Sequence, residues 1–240
     1  MINLTTTKNN RYHGFFLFFS VLVFLSSSAL ARAGDLGVLS NKDASAGLKA
    51  ALEQGANVAL SKLGTADGFM GNEKVKIQLP SILEKAKPLL KLSGQSKQLD
   101  ELVLSMNRAA ESAVPMAKPL LLDAVKKMSV SDAKAILTGG DTSVTDFFRD
   151  KTSAALTTKF SPIVKGVTEK VGLAGKYNGV MAKAQKIAAV PENEATVESY
   201  VTSKAVEALY MMIAEEERKI RQDPLGAGSK IIGKVFGLLK

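Results

Sequence analysis

The sequence predicts an all-α protein: a single bundle of about eight or nine helices behind a cleaved export leader. Three observations carry this expectation. After residue 34, apolar residues recur at three- and four-residue spacing almost without interruption, the period of a helix with one buried face. Ala, Leu, Lys and Glu, all good helix formers, dominate the same stretch, and runs of β-branched residues are short. No Cys is present, so a packed core and not a disulfide framework must stabilise the fold.

The leader is read over residues 1–33. Lys8 and Arg11 open it with no acid nearby, FFLFFSVLVFL follows from Phe15 to Leu25, and Ala29-Leu30-Ala31-Arg32-Ala33 offers small-x-small cleavage sites after Ala31 or Ala33. That order of cation, short apolar run and small residues is a secretory signal peptide. The rival reading is a retained anchor, but the apolar run is shorter than the ~20 residues a bilayer requires. The expected destination is the periplasm, or the medium if the host has one membrane. Residues 34–240 are expected to form one all-α domain, since no linker divides them.

The elements follow in order. Asp43 is expected to cap a first helix whose stripe is Leu48, Ala51, Leu52, Val58 and Leu63, and Gly64 ends it. Residues 64–80 form a loop. Its VKIQL alternates like a strand, but a lone strand has no partner, so it is read as extended chain packed on the bundle. Ser81 caps SILEKAKPLLKL, which stops at Ser93-Gly94. A longer helix spans about Ser96 to Ser112, and Pro115 and Pro119 break or restart the chain before a helix to Met128. Ser129 or Ser131 caps SDAKAILTGG. Ser143 and Asp146 resemble a capping box for the next helix, and Ser161-Pro162 is expected to open another. Residues 173–190 are helical up to the break at Pro191-Glu192-Asn193. The helix from about Glu194 to Gln222 contains AVEALYMMIA, apolar on nearly every face, and is expected to be the central strut. Its charged end, EEERKIR, is expected in water, and a last helix runs from about Gly228 to Lys240.

Composition narrows the chemistry. The only His, His13, lies in the leader, and Cys and Trp are absent, so the mature chain lacks the usual groups of acid–base, thiol and zinc chemistry. No metal and no cofactor are expected. Beyond the leader there are 29 basic and 23 acidic residues, a net charge of +6. Only Arg108, Arg149, Arg218 and Arg221 are Arg; the rest are scattered Lys. Lys is a hydrated point charge, whereas Arg is the residue of bidentate phosphate recognition. Nucleic acid is therefore not an expected partner.

Several strings occur together: DASAGLKAAL, SMNRAAESAVP, AKAILTGGDTSVTDFFR, VGLAGKYN and YVTSKAVEALYMMIAEEERKIRQDP. In this order they resemble the exported bacterial domain-of-unknown-function 4197 family, over the whole mature chain from Leu39 to Lys240. The resemblance implies an all-α secreted or periplasmic protein. It implies no activity and carries over no catalytic residue.

Four constellations are candidate sites. Asn107, Arg108 and Glu111 could bind an anion, or form a partly buried polar network that fixes helix register. Gly139, Gly140, Asp141 and Ser143 precede a helix start, where free N–H groups could meet an anion; the plainer reading is a capped helix–turn–helix. Glu215–Lys219 and Glu217–Arg221 read as i,i+4 pairs on a solvated helix end, or as half of a carboxylate pair completed by Glu101 or Glu111. Ile231, Ile232, Val235, Phe236 and Leu239 make the last helix suited to a membrane or protein surface, or to docking on its own bundle.

The function expected from the sequence is non-enzymatic binding of an apolar or lipid-like ligand, a membrane surface or a protein partner. Eight methionines, which pack adaptably, fit such a role. A carboxylate-dependent hydrolase of envelope polymers and a structural or stress-related envelope component are the alternatives. No oligomeric state follows from the sequence.

Overall fold

The computed structural model describes residues 41–184, 191–226 and 230–237; the leader expected over residues 1–33 lies outside them. The described backbone is α-helical with two short 3-10 turns and contains no strand.

Helix α1 spans Asn41–Leu63, so Asp43, expected as its cap, already lies inside it. Leu48, Ala51, Leu52 and Leu63 are buried, joined by Ala56, Ala59 and Leu60, while Val58 sits half-buried at the margin of the stripe. The N–H of Gly64 still reaches the Leu60 carbonyl at 2.8 Å and closes the last turn.

The connection from Gly64 to Pro80 turns tightly and then runs extended. Val75, Ile77 and Leu79 are buried while Lys74 and Gln78 are exposed, so the alternation read in the sequence is present without a sheet. Helix α2, Ser81–Leu92, begins after Pro80, which occupies the N-cap position. Ser81 is therefore the first helical residue and not the cap, and its hydroxyl donates to Glu194 Oε2 at 3.3 Å instead. The helix ends in a Schellman-type turn. Gly94 adopts φ 77°, a conformation that disfavours a side chain, and the N–H of Gln95 reaches the Leu90 carbonyl at 2.9 Å.

Helix α3 spans Ser96–Ala113. A 3-10 turn at Val114–Met116 carries Pro115, and α4, Ala117–Lys127, holds Pro119 in its first turn, where no backbone N–H is needed. Helix α5 spans Val130–Thr138 and is capped by Ser129 and Asp132 in a reciprocal capping box.

Helix α6 is one element from Ser143 to Thr168, so the expected new helix at Ser161-Pro162 does not form. Val144, Phe148, Thr152, Leu156, Phe160, Val164 and Thr168 are all buried, an unbroken four-residue spacing that passes straight through Pro162. Each such step turns the stripe by about 40°, so α6 shows its buried face to different neighbours along its length. Pro162 and Thr158 are both exposed, so water can satisfy the Thr158 carbonyl that loses its donor. The expected Ser143–Asp146 capping box is likewise absent. Thr142 occupies the N-cap and the Ser143 hydroxyl donates to the Ile136 and Gly140 carbonyls.

Helix α7 spans Gly172–Ala184, and residues 185–190 of the helix expected there are outside the described residues. After a 3-10 turn at Glu192–Glu194, α8 spans Val197–Gln222 and is capped by Thr196 with Ser199. It packs against α1, α3, α6 and α7, and against α9, Lys230–Gly237. Fourteen of its residues are buried, which makes it the central strut; Glu207 and Met211 mark the strip that faces water.

Candidate functional site

The first constellation ties α3 to the loop after α1. Asn107 is fully buried. Its Oδ1 accepts the Ile77 N–H at 2.9 Å, and its Nδ2 donates to the Ile77 carbonyl at 2.9 Å and the Val103 carbonyl at 2.8 Å. One side-chain amide thus stands in for the missing neighbouring strand. Glu111, one turn on, accepts the N–H groups of Phe69 and Met70, each at 3.1 Å, on Oε1. Its Oε2 accepts from Arg108 Nη1 at 2.6 Å, while Arg108 Nη2 donates to Asp67 at 2.8 Å. Asp67 stands at φ 64°, unusual for a residue with a side chain, in the turn that Arg108 grips. The network joins helix to loop, as the register reading expects, with the Glu111 carboxylate buried inside it and Arg108 and Asp67 at its exposed edge.

The second and third constellations are one site. Glu217 was expected in solvent with the rest of EEERKIR, yet its side chain is 1% exposed. Its carboxylate sits at the N-terminus of α6. Oε1 accepts the Val144 N–H at 3.0 Å, and Oε2 accepts the Thr145 N–H at 3.1 Å and the Thr145 hydroxyl at 3.0 Å. Arg221 closes the site from α8, with Nη2 donating to Glu217 Oε1 at 3.0 Å, to Ser143 Oγ at 2.7 Å and to the Ile136 carbonyl at 3.2 Å. The anion that a helix start attracts is thus supplied by the chain itself. Gly139 serves sterically, because a Cβ there would lie 2.6 Å from that of Ser143. Gly140 and Asp141 are exposed and take no part in the Glu217 contacts.

The other glutamates of the run reach lysines outside their own helix. Glu215 bonds Lys74 at 2.7 Å and not Lys219. Glu216 accepts from Lys62 and Lys219, each at 2.7 Å. Burial alone would raise the Glu216 pKa, but the hydrogen bonds from Lys219 and Lys62 outweigh it and hold the carboxyl below its ordinary value. The Lys74 hydrogen bond lowers that of Glu215 in the same direction. Glu101 is exposed and belongs to none of these contacts.

Helix α9 docks on the bundle along α1 and α8. Ile232, Val235 and Phe236 are buried there, and the Arg221 guanidinium lies over the Phe236 ring at 5.6 Å. The Ile231 side chain and Leu239, expected on the same helix, are outside the described residues. Between α9, α1, α6 and α8 the packing leaves a cavity of about 10 Å³, room for no more than a single water. Three larger depressions, of about 250, 290 and 320 Å³, are open grooves lined by mixed polar and apolar residues.

What sequence reasoning missed is the exposure of α2. Leu83 is its one buried residue, while Ile82, Leu89 and Leu92 are 39%, 71% and 87% exposed. At 3.6 residues per turn those three fall within an arc of about 80°. The signal was an amphipathic pattern identical in kind to that of α3, and such a pattern does not say which apolar stripe finds a partner. Among the described residues no helix is long and apolar enough to cross a membrane, and no cluster of His, Asp or Glu is arranged to hold a metal ion.

These features define an all-α protein closed by buried carboxylate joints and presenting one weakly packed amphipathic helix. The chain belongs to the family described as "Protein of unknown function (DUF4197)", whose profile matches residues 38–237. Comparison with curated proteins gives no match, and comparison with solved structures gives none.

Proposed function

We propose that this chain is exported, loses its leader and acts in the periplasm as a non-enzymatic binding protein that works through its surface. The carrying observation is the face of α2. Three large apolar side chains stand in solvent on a helix that contributes one residue to the core. Clustered exposed apolar residues mark binding surfaces more often than chance exposure does. A ligand enclosed between the helices has less support, since the cavity beside α9 holds about 10 Å³. A hydrolase built on paired carboxylates also has less support. Glu111, Glu216 and Glu217 are the buried acids among the described residues, and each is tied to Arg or Lys.

The test uses protein recovered after export, its N-terminus determined by mass spectrometry, and mixed with a cell-envelope fraction. The native chain is expected to co-sediment with the envelope, and the Leu89→Ser/Leu92→Ser variant to stay in the supernatant. Co-sedimentation of neither, or of both equally, overturns the reading.

A further inference from the structure

We propose that the surface bound by α2 is an anionic lipid headgroup layer, with Ile82, Leu89 and Leu92 seated at its apolar boundary. This rests on the surface-binding reading above and names its partner. The argument begins with charge. Lys85 stands within the apolar arc, Lys91 lies about 100° round the helix from Leu92 and Lys87 further toward the core, and Lys97 opens the next helix. Glu84 is the one acid in the sequence from Ser81 to Lys97, and Glu194 meets the helix start at Ser81. Lys87 is paired with Glu84 at 3.2 Å, whereas Lys85, Lys91 and Lys97 form no ion pair among the described residues. The acids Asp100 and Glu101 are exposed one turn into α3, so the basic patch ends there. Beyond the leader the chain carries +6, which adds a general attraction to an anionic layer.

Position separates lipid from other occupants. By helical geometry Lys85 projects between Leu89 and Leu92, inside the apolar arc and not beside it. A dry protein groove would have to bury that ammonium with an acid supplied at the same spot. At a lipid surface the same side chain lays its methylenes along the apolar boundary and lifts its charge to the phosphates. A second copy of this face fits poorly, because a two-fold contact through the arc buries the Lys85 ammonium of both copies with no acid beside either. The short length and single buried residue of α2 suit a helix lying in the interface plane, held by area and charge together.

The experiment takes the exported, processed protein and vesicles of phosphatidylglycerol and phosphatidylcholine, or of phosphatidylcholine alone. Sedimentation is expected to show binding at least about tenfold tighter to the anionic vesicles, falling as salt is raised. Leu89→Ser/Leu92→Ser and Lys85→Glu/Lys91→Glu should each weaken it about tenfold, while Lys118→Glu/Lys134→Glu, the same charge change on α4 and α5, should weaken it far less. The chain contains no Trp, so Leu92→Trp supplies a single fluorophore whose emission should move to the blue on anionic vesicles and not on neutral ones. Absence of binding by a protein with native circular dichroism, or equal losses in the control variant, overturns the proposal. So does a dimer that Leu89→Ser/Leu92→Ser dissolves. A photocrosslinker at position 92 that attaches to protein and not to lipid in intact cells overturns the lipid partner and leaves surface binding standing. Failure to bind the whole envelope fraction removes both.

Discussion

The carboxylate of Glu217, near the end of α8, closes the N-terminus of α6 by accepting the backbone N–H of Val144 at 3.0 Å, 73 residues earlier in the chain. Glu111 on α3 likewise takes two backbone N–H groups, those of Phe69 and Met70 in the loop after α1. Each of the two carboxylates is held by an Arg of its own helix, Arg221 and Arg108. Such a joint is stiff in a way that apolar contact is not, because a buried N–H left without an acceptor costs about 1–3 kcal/mol. Two helices are thereby fixed in register to the segments they cross.

Removal of the Glu217 carboxylate strands two N–H groups and takes the counter-ion from the Arg221 guanidinium, which keeps the Ser143 hydroxyl and the Ile136 carbonyl. Glu217→Ala is expected to destabilise the fold by about 3–5 kcal/mol, read from the urea midpoint. Arg221→Ala should cost less alone, and the double variant should cost less than the sum, with a coupling of about 1–3 kcal/mol. Strict additivity of the two would show that the pair does not act as a unit.

Asn107 makes a comparable test on the other side of the bundle. It is fully buried, and it satisfies both the N–H and the carbonyl of Ile77. Asn107→Ala orphans both and should cost about 2–4 kcal/mol. Asn107→Asp keeps the acceptor but loses the donor and sets an anion beside the Ile77 carbonyl, so it should be at least as damaging. Hydrogen exchange at Ile77 should accelerate in both variants before global unfolding. An unchanged rate at that amide would mean the extended segment is held by its apolar residues alone.

Acid should weaken the fold by a route that Glu215 and Glu216 define. Their folded pKa values lie below the ordinary one, that of Glu215 through Lys74 and that of Glu216 through Lys219 and Lys62 working against burial. A carboxyl depressed in the folded state stabilises it above the unfolded pKa, about 4.3, and that stability disappears as pH falls through the lower folded value. The urea midpoint should therefore be flat near neutrality and decline below about pH 4.5. Lys62→Met should lower the neutral plateau and flatten the decline. A decline that is unchanged in that variant would assign the acid sensitivity elsewhere.

Alkali should act through the tyrosines. Burial is the leading cause for all three in the described residues: it pushes Tyr177 up to about 12 and raises Tyr200 and Tyr210, against the opposing effects of Lys204 on Tyr200 and of the Thr152 hydrogen bond on Tyr210. A group whose folded pKa is raised contributes stability that is present below its unfolded value, about 10, and lost as pH climbs through the folded one. Phenolate absorbance should lag that of the urea-unfolded chain and then rise together with loss of helical circular dichroism. Titration near pH 10 with the helix signal intact would contradict this burial.

The legible and illegible parts of this molecule divide by range. Leu48, Ala51, Leu52 and Leu63 could be read as a buried stripe because four neighbours on one helix display the period themselves. A cap at Ser129 or Ser131 was legible for the same reason, since a cap lies beside its own helix, and the structure selects Ser129 through Asp132. Gly94 was legible as a stop because its backbone freedom is intrinsic. Glu217 was not legible, since a charged triplet normally faces water and its acceptor role depends on Val144 arriving from 73 residues away. The exposure of Leu89 and Leu92 was hidden for the opposite reason. An amphipathic stripe states that a partner is needed, and only the assembled bundle shows that this one was left without it.

Pro162, like Pro88 in α2, sits inside a helix where a local rule predicts a break, and it gives a stabilising prediction. An interior Pro removes one backbone hydrogen bond and crowds the carbonyl four residues back, a cost of about 3 kcal/mol in an isolated helix. Here the burial of Phe160 and Val164 on either side outweighs that cost, since each fully buried large apolar side chain contributes about 1.5–3 kcal/mol. Thr158 is itself exposed, so water can reach the carbonyl in place of a donor. Pro162→Ala restores the donor and relieves the crowding, but frees the unfolded chain by about 0.4–1 kcal/mol. The balance should leave the variant more stable by about 1–2 kcal/mol, which in a domain of this size raises Tm by about 2–8 °C. Pro162→Gly removes the ring without the helix preference of Ala and should recover about 1 kcal/mol less. A lower Tm for Pro162→Ala would mean that the ring packs on the fold in a way its exposure does not show.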